Sequence, residues 1–235
     1  MEETPDSRSV MGEEEKTVSF WSRMGNIFVS PTKTFEAIDK KPTWFWPFII
    51  MILVSLIASY LIMPQQMKIA IDSMSKQENV TQEQMQVAMK FIPISIMATS
   101  VVMVAVWYFL YSLLYYLAGS VLLGGNSTYK KVLSLQAWTS FIVVVSSIVR
   151  IPLVRAKDSV MVSLSPAMLL PSDYLGTKLY TFLMQLDFFS IWYLIVMGLG
   201  FSYIYRFSKG KAYAAVIICW LMWVGLTVLL TPSTA

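Results

Sequence analysis

The sequence predicts an all-α polytopic membrane protein: five transmembrane helices with amphipathic interfacial helices beside them. Three observations carry this. Apolar runs of roughly 20 residues recur, and at about 1.5 Å per residue each matches the roughly 30 Å hydrocarbon core of a bilayer. Residues of the apolar set make up 56% of the chain and charged ones 14%, whereas a soluble domain carries about 25% charged residues. The run from Leu186 to Leu230 is two such stretches around Arg206-Phe-Ser-Lys209-Gly-Lys211, and a turn that short makes its helices antiparallel neighbours with the cations on the cytoplasmic side.

The totals exclude several functions. Net charge is +4 and the isoelectric point about 9.0, but the cations flank apolar runs, so topology and anionic lipid explain them and nucleic acid does not. Mean hydropathy is +0.60. The absence of histidine removes His-dependent triads, His metal sites and the usual proton shuttle near neutral pH. Cys219 is the single cysteine, so no intrachain disulfide or thiolate metal cluster forms, and it reads as a small packing residue. Neither a cofactor nor a metal is expected.

Residues 1–17 are acidic and polar and read as a disordered tail; lacking the basic start and apolar core of a signal peptide, they leave the first span as the insertion signal. Residues 18–41 form an amphipathic interfacial segment. Phe20, Trp21, Met24, Ile27 and Phe28 share one helical face, too short to span and suited to lying flat in the interface; the alternative is a helix packed on a protein core. Ser30-Pro31 marks a second helix start, with a capping serine and proline at the first position. Residues 42–231 form the membrane domain, with spans at about 44–63, 92–123, 132–151, 188–205 and 212–230. Pro47 falls in the first turn of span one, where proline is tolerated, and Pro64 closes that span. The polar excursion from Pro64 to Phe91 holds two short amphipathic helices; the second opens at Thr81-Gln-Glu-Gln84 with the form of a capping box.

Span two exceeds one crossing, so it tilts or projects. Its tyrosines, Tyr108, Tyr111 and Tyr115 among them, either line a polar groove or pack with their hydroxyls on neighbouring backbone. In span three Gln136, Ser140, Ser146 and Ser147 are candidate interhelical hydrogen-bonders. A second excursion runs from Pro152 to Leu186, with Ser165–Pro171 short enough to dip into the membrane rim. Gly198 and Ser202 give span four a small-residue face, and Ala215 does the same for span five. Eleven Lys and Arg fall on the proposed cytoplasmic side and seven on the other, which places the amino end in the cytoplasm and the carboxyl end outside.

Four stretches resemble the Ypt-interacting-protein (Yip) domain family, in its bacterial members: Ser30-Pro31-Thr-Lys-Thr-Phe35 with Pro42-Thr-Trp44-Phe-Trp-Pro47, Gly124-Gly125, Leu186-Asp187-Phe188-Phe-Ser-Ile-Trp192, and Ser208-Lys209-Gly210-Lys211-Ala212. The resemblance spans about Trp21 to Leu230 and implies a five-span protein with a cytoplasmic amino end. Eukaryotic members engage prenylated Rab-type GTPases. Their Asp-Leu-Tyr-Gly-Pro signature is absent here, so the resemblance does not carry that activity over. Some bacterial relatives accompany ABC-type export systems, which implies an accessory role in the inner membrane.

The candidate functional residues are few. Asp187, opening span four, lies at the same membrane edge as Arg150, and a charge at that depth is costly unless paired; an Asp187–Arg150 ion pair is expected, as a substrate or proton contact or as a structural lock. Arg206, Lys209 and Lys211, with Trp21 and Phe28, are candidate contacts for lipid or a partner. Gly198, Ser202 and Ala215 are candidate helix-packing positions. Without a nucleophile elbow, phosphate loop or zinc motif, the expected function is a non-catalytic scaffold or accessory protein. Its expected partners are the lipid bilayer and another membrane protein or a second copy. The alternatives are a small-solute transporter or channel lined by Tyr108, Tyr111, Tyr115, Gln136 and Asp187, and a lipid-binding, membrane-shaping protein.

Overall fold

The computed structural model describes residues 19–76 and 80–231, and every regular element among them is helical. The proposed disordered tail, 1–17, lies outside the described residues.

Helix α1 (Phe20–Val29) starts where the Ser19 hydroxyl accepts from the Ser22 N–H at 3.2 Å. Helix α2 (Pro31–Lys40) has proline in its first turn as expected, but Ser30 does not cap it with its side chain. Instead the Ser30 N–H closes α1 on the Asn26 carbonyl at 2.8 Å, and its own carbonyl receives the Lys33 N–H at 3.0 Å. The two helices form a hairpin whose apolar face, Ile27, Phe35 and Ile38, is fully buried in the same cluster as Leu135, Met197 and Phe201. The hairpin therefore packs on protein rather than lying flat on lipid. The bundle end supplies the apolar surface that a span-only reading left out, and burying three such side chains contributes about 1.5–3 kcal/mol each.

Helix α3 (Phe45–Leu61) breaks at Ile62 and continues, bent by 69°, as α4 (Met63–Ser75). Pro64 sits in the first turn of α4 and redirects the helix, since it cannot donate to the preceding turn. The Thr81 and Gln84 capping box is present, with bonds of 3.2 and 2.9 Å. It opens one continuous helix, α5 (Gln82–Tyr116), rather than a separate short one. Pro93 lies inside it without ending it, and a π-helical segment, Leu117–Leu122, extends it. Helix α6 (Tyr129–Thr139) and α7 (Phe141–Lys157) meet at Ser140, and α7 runs past Pro152, where the sequence suggested an end. After two 3₁₀ turns, Pro166–Leu169 and Ser172–Tyr174, come α8 (Lys178–Gln185), α9 (Phe188–Tyr205) and α10 (Lys209–Leu230). Among the described residues four runs have the length and apolarity to cross a membrane: Gln82–Leu122, Tyr129–Lys157, Phe188–Tyr205 and Lys209–Leu230. The bent α3–α4 pair makes a fifth when counted as one broken span.

Small residues set the closest approaches. A Cβ on Gly198 would stand 2.3 Å from the Tyr213 ring, so this face packs α9 on α10 within the chain, and Ala215 is buried on the other side of that hairpin. Gly119, in the π segment, would meet Tyr205 at 2.3 Å and Phe201 at 2.8 Å. Both rings are buried in the core, and the Tyr205 hydroxyl shares a 3.0 Å hydrogen bond with Ser120. The π turn thus lays its backbone directly on α9.

At the far end of the bundle α4 is tied to the end of α7. Asp158, in the left-handed conformation that terminates α7, receives Gln65 Nε2 at 3.1 Å and pairs with Lys68 at 2.9 Å. The hydrogen bond from Lys68, then that from Gln65, holds the Asp158 carboxyl below the usual carboxylate range.

Two predictions follow from this packing. Gly119→Ala should cost about 1–3 kcal/mol by overpacking, or about 2–4 °C of Tm per kcal/mol for a chain of this size, in a thermal unfolding assay in detergent. Gly210→Ala, which meets open space, should leave Tm within about a degree, the effect of a surface change. The depressed folded-state pKa of Asp158 means that its contribution is present above the unfolded value near 4 and lost as pH falls through the folded one. The protection factors of α4 amides, corrected for the intrinsic pH dependence of exchange, should therefore be flat from pH 8 to about 5 and fall only under acid. Asp158→Asn, which tolerates the left-handed turn, should lower the protection of α4 from pH 8 to about 5 and converge with the unsubstituted protein under acid.

Candidate functional site

Besides the Asp158 contacts, two clusters of polar chemistry stand out among the described residues. The first joins the hairpin to the bundle. Trp138 is fully buried on α6, and its Nε1 donates to the Thr43 carbonyl at 2.8 Å. Arg23 donates through Nη1 to Thr43 Oγ1 at 3.0 Å and to the Lys41 carbonyl at 3.3 Å. Its guanidinium is 6.0 Å from the Trp138 ring, and burial lowers its pKa. Thr34, also buried, donates to the Arg23 carbonyl at 2.9 Å. Beside this knot, the Asp39 carboxylate is shared by Lys131 from α6 at 2.5 Å and Arg206 from the α9–α10 turn at 2.8 Å.

The proposed contact residues divide around this cluster. Arg206 is engaged by Asp39 and by the Tyr203 ring at 5.4 Å. Lys211 donates to the Leu123 carbonyl at 3.1 Å and lies over Phe207 at 4.1 Å. Phe28 packs edge-on against Trp192, with ring centroids 5.7 Å apart. Lys209 and Trp21 remain exposed, Trp21 by 71%. Ser202 donates its hydroxyl to the Phe207 carbonyl at 2.8 Å and shapes the turn. Asp39 is the residue that sequence reasoning missed. Its partners are 92 and 167 positions away, and nothing local marks it.

The second cluster surrounds a partly open cavity of about 490 Å³ between the spans. It gathers Tyr108, Tyr111, Tyr115, Gln136 and Asp187, the five residues of the proposed polar path, and adds Trp107, Trp220, Trp223 and Arg150. The Tyr108 hydroxyl donates to the Trp44 carbonyl at 3.2 Å, so one tyrosine both packs and lines the space. Gln136 does bond across helices, receiving the Tyr193 hydroxyl. Ser140 and Ser147 spend their hydroxyls on carbonyls of their own turns, Gln136 and Val143, at 2.7 and 3.0 Å.

Asp187 and Arg150 reach the same cavity, but no ion pair joins them among the described residues. Asp187 is the N-cap of α9: Oδ1 receives the Phe189 N–H at 3.0 Å. Oδ2 receives the Leu164 N–H at 2.9 Å, while the Phe188 N–H bonds back to the Leu164 carbonyl at 3.1 Å. Arg150 donates through Nε to the Val162 carbonyl at 3.2 Å. The two charges therefore hold one segment, Val162–Leu164, from two sides instead of holding each other. Backbone donors at a helix N-terminus already compensate the carboxylate, which removes the need for a direct pair. The capping role is legible in hindsight, since Asp directly precedes an apolar helical run.

An all-helical bundle with several spans, interior close approaches at glycine and an aromatic cavity between the spans defines a polytopic membrane protein. A model of the Yip1 domain matches residues 25–231. The chain belongs to the Yip1 domain family, as the resemblance implied. No curated protein and no solved structure matches the chain.

The shared carboxylate yields a prediction. Asp39→Asn should loosen the hairpin by about 1–3 kcal/mol, the range for hydrogen bonds to charged groups. Limited proteolysis and amide exchange should show faster opening of 19–41 while α9 and α10 stay protected.

Proposed function

We propose that this Yip1 family protein is a non-catalytic membrane scaffold or accessory subunit in a bacterial inner membrane. In this reading α1, α2 and the α9–α10 turn face the cytoplasm. The observation that carries it is the hairpin clamped to the bundle by Asp39, Lys131 and Arg206. A hairpin fixed in this way offers a preformed surface, with Trp21 and Val29 exposed, to another membrane protein such as an export complex or to a second copy. Preformed surfaces lose less ordering entropy on binding than mobile ones. The Gly198 and Ala215 faces are consumed inside the chain, so the partner surface lies on the hairpin and the outer faces of the spans.

Crosslinking and affinity purification from native membranes in mild detergent should recover one stoichiometric partner. Trp21→Ala should reduce its recovery several-fold, as expected for an aromatic anchor. Recovery of the protein alone, or with lipid only, refutes the scaffold reading.

The cavity favours a second reading, passage of a small solute, because it collects the five residues of the polar path. Under it, purified protein in liposomes conducts a solute, and Gln136→Leu abolishes the flux.

A further inference from the structure

We infer that the cavity between the spans is a binding site for an amphiphile with a singly anionic head, a carboxylate or a phosphate diester, and an alkyl chain. The site needs neither the scaffold nor the transport reading, since it requires residence and not release.

Its size and its walls carry the inference. A volume of about 490 Å³ falls within the roughly 300–1,000 Å³ of sites that hold small ligands. One wall is aromatic: Trp107 stands 4.1 Å, centroid to centroid, from both Tyr111 and Trp223. Such a surface takes an alkyl chain. Phe189 and Trp220 also line the space.

The polar groups select the head. Asp187 has both carboxylate oxygens committed, to the Phe189 and Leu164 N–H groups, and it caps α9, so its charge is compensated. Arg150 is not. It contributes one bond, from Nε to Val162, and its two terminal nitrogens have no hydrogen-bond or ion-pair partner among the described residues. A guanidinium half-buried at the edge of a span needs an anion or water at those nitrogens. Their planar fork matches the two oxygens of a carboxylate or phosphate. Arg150 also lines a neighbouring cavity of about 460 Å³ beside Ile62 and Ile69. The head group thus sits where two apolar spaces meet. The other charged group facing it, Asp187, has both oxygens already taken by the Leu164 and Phe189 N–H groups.

The test uses the full chain in dodecylmaltoside at pH 8, with tryptophan fluorescence quenched by dibromostearic acid or by the dibrominated alcohol of the same length. Partition into the micelle quenches equally for both, so the difference reports the site. The acid should quench at a concentration about tenfold lower than the alcohol, as expected for charge-assisted hydrogen bonds. Arg150→Gln should close that gap and Arg150→Lys should keep part of it. Ser190→Phe, which fills the cavity from α9, should abolish specific quenching by the acid. Displacement by phosphatidylglycerol but not phosphatidylcholine assigns the occupant to membrane lipid; displacement by neither assigns it to free fatty acid. Equal midpoints for acid and alcohol in the unsubstituted protein, or an unchanged gap in a folded Arg150→Gln protein, overturn the inference and leave Arg150 as a hydrated cation at the membrane edge.

Discussion

The arrangement depends on how one residue, Thr43, is satisfied. Its carbonyl takes the indole N–H of Trp138 and its hydroxyl takes Arg23, so the chain just before α3, the C-terminal end of α6 and the first helix meet at one point. Arg23 and Trp138 are buried and Thr43 is half-buried, and a buried donor left unmatched costs about 1–3 kcal/mol. The network cannot be half made without that penalty. It therefore fixes the hairpin, the start of α3 and the rotation of α6 together, and the Asp39 ion pairs act on a hairpin already in place.

At the other end the same rule produces a different outcome. A carboxylate and a guanidinium close to one cavity would be expected to pair. Here each is assigned to the backbone of Val162–Leu164, because that segment is neither helix nor strand and has donors and acceptors that nothing else in the chain meets. Using the charges this way leaves the two outer nitrogens of Arg150 without a hydrogen-bond partner among the described residues. The cavity borders this irregular segment on its polar side, and Trp107, Trp220 and Trp223 stand among its apolar walls.

What could be read in the sequence was whatever one helix declares on its own. The apolar runs named the four long apolar helices and α3, the first half of the bent pair, and Thr81 with Gln84 named a helix start. The resemblance around Pro42–Pro47 and Leu186–Trp192 named the family. The misplaced features are those decided by neighbours. The hairpin face was assigned to lipid because amphipathicity does not say what covers it; Ile27 and Phe35 are covered by α6 and α9. Pro152 looked like an end, but a proline inside a packed helix removes one hydrogen bond and need not stop it. The π segment and the Gly119 contact have no signature beyond a glycine. In the cavity the tyrosines and Gln136 stood out as polar groups in apolar runs, whereas Trp220 and Trp223 looked like any other residues of span five.

The two ends are not independent, because α9 belongs to both. Asp187 begins it at the cavity, and Arg206 ends it at Asp39. Between them Tyr193 bonds to Gln136, while Gly200 lies where a Cβ would meet Leu135 at 2.3 Å and Phe35 at 3.0 Å. With contacts that close, α9 cannot shift against α6 without moving Leu135, and Phe35 moves with it. Phe35 belongs to the clamped hairpin. Close packing of this kind favours discrete arrangements over gradual deformation, which makes the seating of α9 on α6 and the seating of the hairpin two aspects of one packing problem.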